Sequence, residues 1–203
     1  ANAIHHYCSR ADQPYIAINC GAIPNELLGS ALFGHEIGSF TGAVQAHKGY
    51  FEQASGGTLF LDEITETSQA LQVSLLRVLE TQKIIPVGSS RQIAIDVRII
   101  ASTNRDPLVA VEQGLLREDL YHRLNVFPIS VPTLSERVSD IVLLTEYFLA
   151  EYNQQHKKNT VITPAALAYM VSLPYPGNVR QLKNILYRAY ILADDVIDLE
   201  HLT

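Results

Sequence analysis

Asp62 and Glu63 stand side by side at the end of an apolar run, Leu59 to Leu61, in the stretch GGTLFLDE. One carboxylate suits a hydrated magnesium ion, and a carboxylate beside it suits a water that attacks a phosphoryl group. Two further apolar runs end in amides: YIAIN closes on Asn19, and VRIIASTN closes through Thr103 on Asn104. Each of these residues alone could be making a strand-end turn or a helix cap. Together, in an open parallel sheet, they would line the edge beyond the carboxyl ends of the strands, where ligands bind. LFLDE has the form of a Walker B segment, whose partner is the phosphate-cradling loop GxxxxGK[ST]. The lysines are Lys48, Lys83, Lys157, Lys158 and Lys183, and none follows a glycine. Either the protein uses no such loop, or the sequence begins just after one.

The elements that must carry these residues follow from apolar periodicity. Ala1 to Tyr7 reads as the tail of a helix, Tyr15 to Asn19 as a strand, and Pro24 opens a helical stretch in which Leu27, Leu28 and Leu32 recur at helical spacing. Thr58 to Leu61 reads as a buried strand. The amphipathic helix after it places Leu71, Leu75, Val78 and Leu79 on one face, with Thr67 or Ser68 as its cap. A hairpin around Gly88 to Ser90 leads into a strand at Val97 to Ala101, then a helix in LLREDLYHRL and a final strand in VFPISV. From Leu134 the pattern is helical throughout, with Ile141, Leu144, Phe148, Leu149 and Tyr152 on one side of the first helix and Asn178 as the N-cap of the last. The sequence therefore predicts an α/β part over residues 1–133 and an all-helical part over 134–203.

Composition narrows the function classes. Of 203 residues 47% are hydrophobic and 18% charged, ordinary values for a globular chain. No apolar run reaches the roughly 18 residues that cross a bilayer, and no signal-peptide pattern opens the chain, so a cytoplasmic protein with no membrane partner is expected. Cys8 and Cys20, with no CxxC spacing, read as reduced structural thiols. His5 and His6 would point roughly 100° apart on a helix and make a poor chelating pair. The net charge of −6 argues against a nucleic-acid surface within this segment, and any DNA contact is expected from a separate domain.

One stretch fits neither period. GHEIGSFTGAVQAHKG, Gly34 to Gly49, sets Phe40 and Thr41 between glycines at its centre. Such a segment is either a loop tucked into its own core or a mobile finger presenting an aromatic contact.

Taken in order, AINCGAIP, ELLGSALFGHEIGSFTGA, GGTLFLDEI, LLRVLE, VRIIASTNRD, LREDLYHRLNVFPI and PGNVRQLKNILYRA resemble the central AAA+ ATPase domain of bacterial enhancer-binding proteins over essentially the whole chain. These are activators of RNA polymerase carrying the sigma-54 factor. The resemblance implies a P-loop-type parallel sheet with flanking helices, followed by a small helical lid. It implies ATP and Mg2+ as ligands, Asp62 holding the metal and Glu63 polarising the attacking water. Asn19 matches the switch residue that restrains that glutamate, and Asn104 matches sensor I. Arg117 and Arg123 match arginine fingers that reach a neighbouring subunit's nucleotide, and Arg180 matches sensor II, reaching back from the lid. Without the resemblance, each finger reads equally as half of a surface ion pair with Glu118 or Asp119. Six residues along the one helix set them roughly 120° apart, so both need not face one phosphate.

Gly38, Ser39, Phe40, Thr41, Gly42 and Ala43 match the family's GAFTGA loop, which touches the sigma-54 factor. Ser39 replaces its usual alanine, adding a hydroxyl that could alter coupling. Sites shared between subunits imply a closed ring, usually a hexamer in this family. The first strand and phosphate loop of the family are missing from this sequence; they are expected upstream, and without them the chain should be a poor ATPase and marginally stable. Two functions are compatible with these features. One is an ATPase that remodels the closed promoter complex; the other is a sigma-factor-binding module that hydrolyses nothing, if the missing loop is natural.

Overall fold

Parallel strands buried on both faces need continuous apolar runs and helical crossovers, and the first part of the chain supplies both. The computed structural model describes residues 1–202. Two compact units divide it, Ala1–Pro128 and Ile129–Thr203.

In the first unit α1 (Asn2–His6) leads to β1 (Tyr15–Asn19), and a 3-10 turn at Cys20–Ala22 passes into α2 (Asn25–Phe33). After the glycine-rich stretch come α3 (Tyr50–Gln53), β2 (Thr58–Asp62), a 3-10 turn at Ile64–Glu66 and α4 (Gln69–Thr81). Antiparallel β3 (Lys83–Ile84) and β4 (Ile93–Ala94) form the expected hairpin, with Gly88 at φ 80° in its tip. β5 (Arg98–Ala101), α5 (Pro107–Glu112) and α6 (Glu118–Leu124) complete the unit. Ser68, one of the two expected caps, starts α4 by accepting from the Leu71 amide at 3.4 Å. In α2 the fully buried Leu28 and Leu32 face the core, while Leu27 points outward, because two leucines at spacing four already fill the contact face.

Among the described residues the sheet has the order β1-β2-β5, all parallel. Its register pairs Asn19 with Asp62 and Leu61 with Ala101. Leu59, Leu61, Ile18, Phe51, Leu75 and Leu120 meet in the core beneath it.

The strand expected in VFPISV does not form. Residues 126–131 are irregular, and Val126 and Phe127 are each 82% exposed. An apolar run becomes a strand only where a neighbouring edge accepts its ladder, and Pro128 removes one donor from the middle of this one. Among the described residues no strand pairs with it.

In the second unit α7 (Ser139–His156), β6 (Val161–Ile162), α8 (Pro164–Ser172), α9 (Asn178–Leu192) and β7 (Val196–Ile197) surround a core of Leu134, Ile141, Phe148, Tyr152, Met170 and Leu186. Asn178 is not the N-cap of α9. Gly177 holds that position, and its amide donates to Gln181 Oε1 at 2.9 Å. The Asn178 side chain instead accepts from the Leu134 amide at 2.7 Å, so it serves the 3-10 turn Leu134–Glu136. A tertiary donor without a partner has taken the asparagine from its local role.

The glycine-rich stretch leaves and rejoins the unit through a neck where two backbones touch. A methyl group on Gly49 would lie 2.3 Å from the Gly34 nitrogen and 2.4 Å from the Leu32 carbonyl oxygen. Gly49→Ala is therefore expected to cost about 3 kcal/mol, as overpacking against backbone does. Gly29 in α2 has only Leu71 Cδ1 at 3.8 Å, and Gly29→Ala should stabilise by about 0.5–1 kcal/mol. Urea unfolding of the two variants measures both; equal shifts would contradict the neck.

Candidate functional site

The register that pairs Asn19 with Asp62 brings two of the predicted residues side by side at the carboxyl edge of the sheet. One residue past β5, Ser102 donates its hydroxyl to Asp62 Oδ1 at 2.5 Å. The same residue's carbonyl accepts from the Ile64 amide at 3.0 Å. β2 therefore stays attached to β5 beyond the last paired residue. Between these two bonds Glu63 turns sharply, with φ 56° and ψ 50°. A non-glycine residue in the left-handed region costs on the order of 1 kcal/mol or more, and it persists where the surroundings hold it. Here the turn lifts the Glu63 carboxylate out of line with the strand.

Asn19 caps the turn that follows it, its Oδ1 accepting from the Ala22 amide at 3.0 Å. It also lies next to Glu63: a methyl group on Gly21 would stand 2.9 Å from Glu63 Oε2 and 3.3 Å from Asn19 Oδ1. Both functional and capping uses of Asn19 are thus open to one side chain, since its amide nitrogen is not engaged by the cap. Asn104 is exposed beyond β5, on the same edge, next to Arg105, which pairs with Glu66 at 3.2 Å. Among the described residues neither Asp62 nor Glu63 has an ion-pair partner, so their charge is left for a ligand cation. No cluster of three or more His, Cys, Asp or Glu side chains able to hold a metal occurs among the described residues. The donor set fits magnesium, which takes one or two carboxylates and completes its shell with phosphate and water.

That negative edge acts on its neighbours. Cys20 is buried directly after Asn19, and burial, with the charges of Asp62 and Glu63 added, pushes its thiol up to about 11. The Tyr15 phenol is also raised, first by burial and then by Asp62.

The two arginines do not lie on one helix face. Arg117 is the N-cap of α6, outside the helix, so the expected 120° separation does not apply. Its Nε and Nη2 donate to Asp119 Oδ1 and Oδ2 at 3.0 and 2.7 Å, which holds the Asp119 carboxyl below its usual range. Arg123, exposed near the end of α6, donates to the Leu79 carbonyl at 2.9 Å. Arg180 stands exposed in the first turn of α9, in the second unit.

The loop of Gly38 to Ala43 is folded back on itself. The Gly38 amide donates to the Ala43 carbonyl at 2.8 Å, and the Ala43 amide to that of Phe40 at 3.0 Å. Its base is pinned by reciprocal backbone bonds between His35 and His47, and by the Glu36 amide to the Val87 carbonyl. The Phe40 ring meets the His35 ring edge-on at 5.0 Å yet stays 36% exposed, and Thr41 is exposed beside it. The Ser39 hydroxyl is not at the exterior of the finger. It is buried against Gly88 of the hairpin and has no hydrogen-bond partner.

Two further polar residues, one at this edge and one on α4, escaped sequence reasoning. Ser102 was signalled by being the first polar residue after an apolar strand. Gln72 was signalled by standing next to Leu71 on the buried face of α4, where a polar side chain is out of place.

A short parallel sheet ending in an acid pair and followed by a helical unit is the arrangement expected of an AAA+ ATPase, and comparison with known sequences shows that class and narrows it. Residues 1–130 match the sigma-54 interaction domain and residues 135–203 the AAA+ ATPase lid domain, so the chain belongs to the sigma-54 interaction AAA+ family of bacterial transcriptional activators. It is 50% identical over 196 residues to nitrogen fixation protein AnfA of Azotobacter vinelandii, covering 96% of this chain and 37% of that protein. It is 47% identical over 198 residues to transcriptional regulatory protein GlrR of Escherichia coli K12, covering 97% and 45%. The crystal structure of NtrX from Brucella abortus superposes with a TM-score of 0.91 at 36% identity, covering 98% of this chain and 46% of that one. NtrX in complex with ATP gives 0.90. The chain thus spans less than half the length of the relatives it matches. Among the described residues no helix is long and apolar enough to cross a membrane.

The raised thiol makes a direct check of the edge. At pH 8, iodoacetamide should modify the partly exposed Cys8 while leaving Cys20 unreacted until the chain is unfolded, because only thiolates react. Equal labelling of the two in the folded protein would contradict the burial of Cys20 beside the acids.

Proposed function

We propose that this chain is the ATP-hydrolysing part of a sigma-54 activator, working as a ring, with residues 1–133 as the catalytic subdomain and 134–203 as its lid. Leu134, buried and bonded through its amide to Asn178, supports placing the start of the lid there. The observation that carries the reading is the acid pair itself: Asp62 anchored by Ser102, and Glu63 turned out of its strand, both without a protein cation among the described residues.

In this reading Asp62 holds Mg2+, with its second oxygen free of the Ser102 bond. Held there, the ion would supply positive charge to offset the negative charge that develops on the phosphate. Glu63 accepts the proton of, or orients, the water that attacks the terminal phosphate. Asn19, adjacent to Glu63 over Gly21, restrains that carboxylate through its free amide nitrogen. Asn104, on the same edge, is placed to contact the terminal phosphate. Arg117 and Arg123 act on the neighbouring subunit's nucleotide. Arg117 would leave its exposed partner Asp119 for a phosphate, an exchange of one bidentate acceptor for another. Arg180 contributes from the lid. A relative, NtrX, has been crystallised with ADP and with ATP, which supports the choice of nucleotide. The loop of Gly38 to Ala43 presents Phe40 and Thr41 to the sigma-54 factor. DNA contact, in a whole activator, belongs to a different domain. A ring of six is the reading the resemblance favours.

Two experiments on the full-length protein test these roles. Glu63→Gln should reduce ATP hydrolysis by at least about a hundredfold while nucleotide still binds; unchanged hydrolysis would remove the catalytic assignment. Thr41→Ala should hydrolyse ATP normally but lose promoter opening in a reconstituted transcription assay. Normal activity in both assays would show that the loop does something else.

A further inference from the structure

Gln72 lies on the buried face of α4, 0% exposed, with Leu71, Leu75 and Val78. A carboxamide in such a place is costly unless every polar atom finds a partner. Here each does. Nε2 donates to the Thr67 carbonyl at 3.0 Å and to the Leu115 carbonyl at 2.8 Å. Oε1 accepts from the Arg117 amide at 2.8 Å. Two carbonyls and one amide as partners leave only one orientation of the group and only one residue type of this length that can serve all three.

The three partners lie on two segments, the turn that ends at Thr67 and the stretch from Leu115 to Arg117, which the Gln69 side chain also ties to α4 through the Gly114 carbonyl at 2.6 Å. Thr67 closes the 3-10 turn that begins at Glu63, and its hydroxyl donates to the Ile64 carbonyl at 2.6 Å. Leu115 is in the turn after α5 and is held by the Ala110 carbonyl. Arg117 is the N-cap of α6, where a backbone amide has no helical acceptor of its own. One side chain therefore sets where the Arg117 backbone stands relative to the turn that carries Glu63.

We infer that Gln72 is a positioning residue which couples a subunit's own acid pair to the arginine that the subunit offers its neighbour. This rests on the reading of Arg117 as acting across the subunit interface. A displacement of the Glu63 turn, as nucleotide is bound or lost, passes through Thr67 and the carboxamide to the Arg117 backbone. The guanidinium, already aligned by Asp119, moves with it.

The test uses Gln72→Met in the full-length protein, a substitution of similar size that removes all three bonds. The ATPase kcat should fall by on the order of tenfold to a hundredfold with KM for ATP nearly unchanged, as expected when a transition-state group is misplaced. Mixed rings then separate positioning from damage. Glu63→Gln subunits cannot hydrolyse but keep an intact Arg117, so mixing them with Gln72→Met subunits should restore hydrolysis at the latter's sites. Arg117→Ala mixed with Glu63→Gln is run beside it. If Arg117→Ala is rescued and Gln72→Met is not, Gln72 serves only its own subunit and the inference is overturned. If neither is rescued, the reading of Arg117 across the interface is what fails, and the coupling falls with it. Adding Gln72→Met to Arg117→Ala should cost nothing further; an additional loss also overturns the inference. Should Gln72→Met not fold, Gln72→Glu keeps the acceptor for Arg117 but sets a carboxylate against two carbonyls, and the same mixing experiment applies. Circular dichroism and thermal melting monitor folding throughout.

Discussion

Everything at the candidate site depends on the parallel register of three short strands. With Asn19 opposite Asp62 and Leu61 opposite Ala101, the residues at the strand ends are brought level: Asn19, Asp62 and Ser102. A slip of one residue would turn every side chain to the other face. It would carry Asp62 away from the Ser102 hydroxyl and leave Leu59 and Leu61 without a core. The apolar packing under the sheet and the polar geometry at its edge are thus one constraint, and neither can be varied without the other.

The bond network past the strand ends extends that constraint outward. Ser102 holds both Asp62, through its side chain, and Ile64, through its carbonyl, so the left-handed turn at Glu63 is clamped on both sides. From there the chain runs through Thr67 into α4 and, by way of a buried carboxamide, to α6. The acid pair and the two arginines come from distant stretches of sequence, yet few bonds separate them.

Much of this was legible in the sequence, and what was not has physical causes. Strands at Tyr15 to Asn19, Thr58 to Leu61 and Val97 to Ala101, and the helix from Gln69, were readable because each is a long apolar pattern whose burial outweighs local alternatives. VFPISV is similarly apolar but has no partner edge among the described residues, and a strand is a property of a pair. Asn178 has the chemistry of a cap, but the Leu134 amide claimed its oxygen from 44 residues away in sequence. The placing of Arg117 and Arg123 on one helix failed for a boundary reason: the helix starts one residue too late. Asp62, Glu63 and Asn19 could be nominated from the sequence because they end strands. Gln72 shows in the sequence only as a polar residue out of place on an apolar face, since its three backbone partners are assembled by tertiary structure alone.

The close approach of Ser39 to Gly88 bears on how this part of the protein can change over generations. A methyl group on Gly88 would stand 2.5 Å from the Ser39 Cβ, so the smallness of one residue and the bareness of the other are a single requirement written at two separate places in the sequence. Enlarging either is tolerated only if the finger lifts away from the hairpin. Genetic changes at the two positions should therefore be epistatic, each setting which residues the other site accepts.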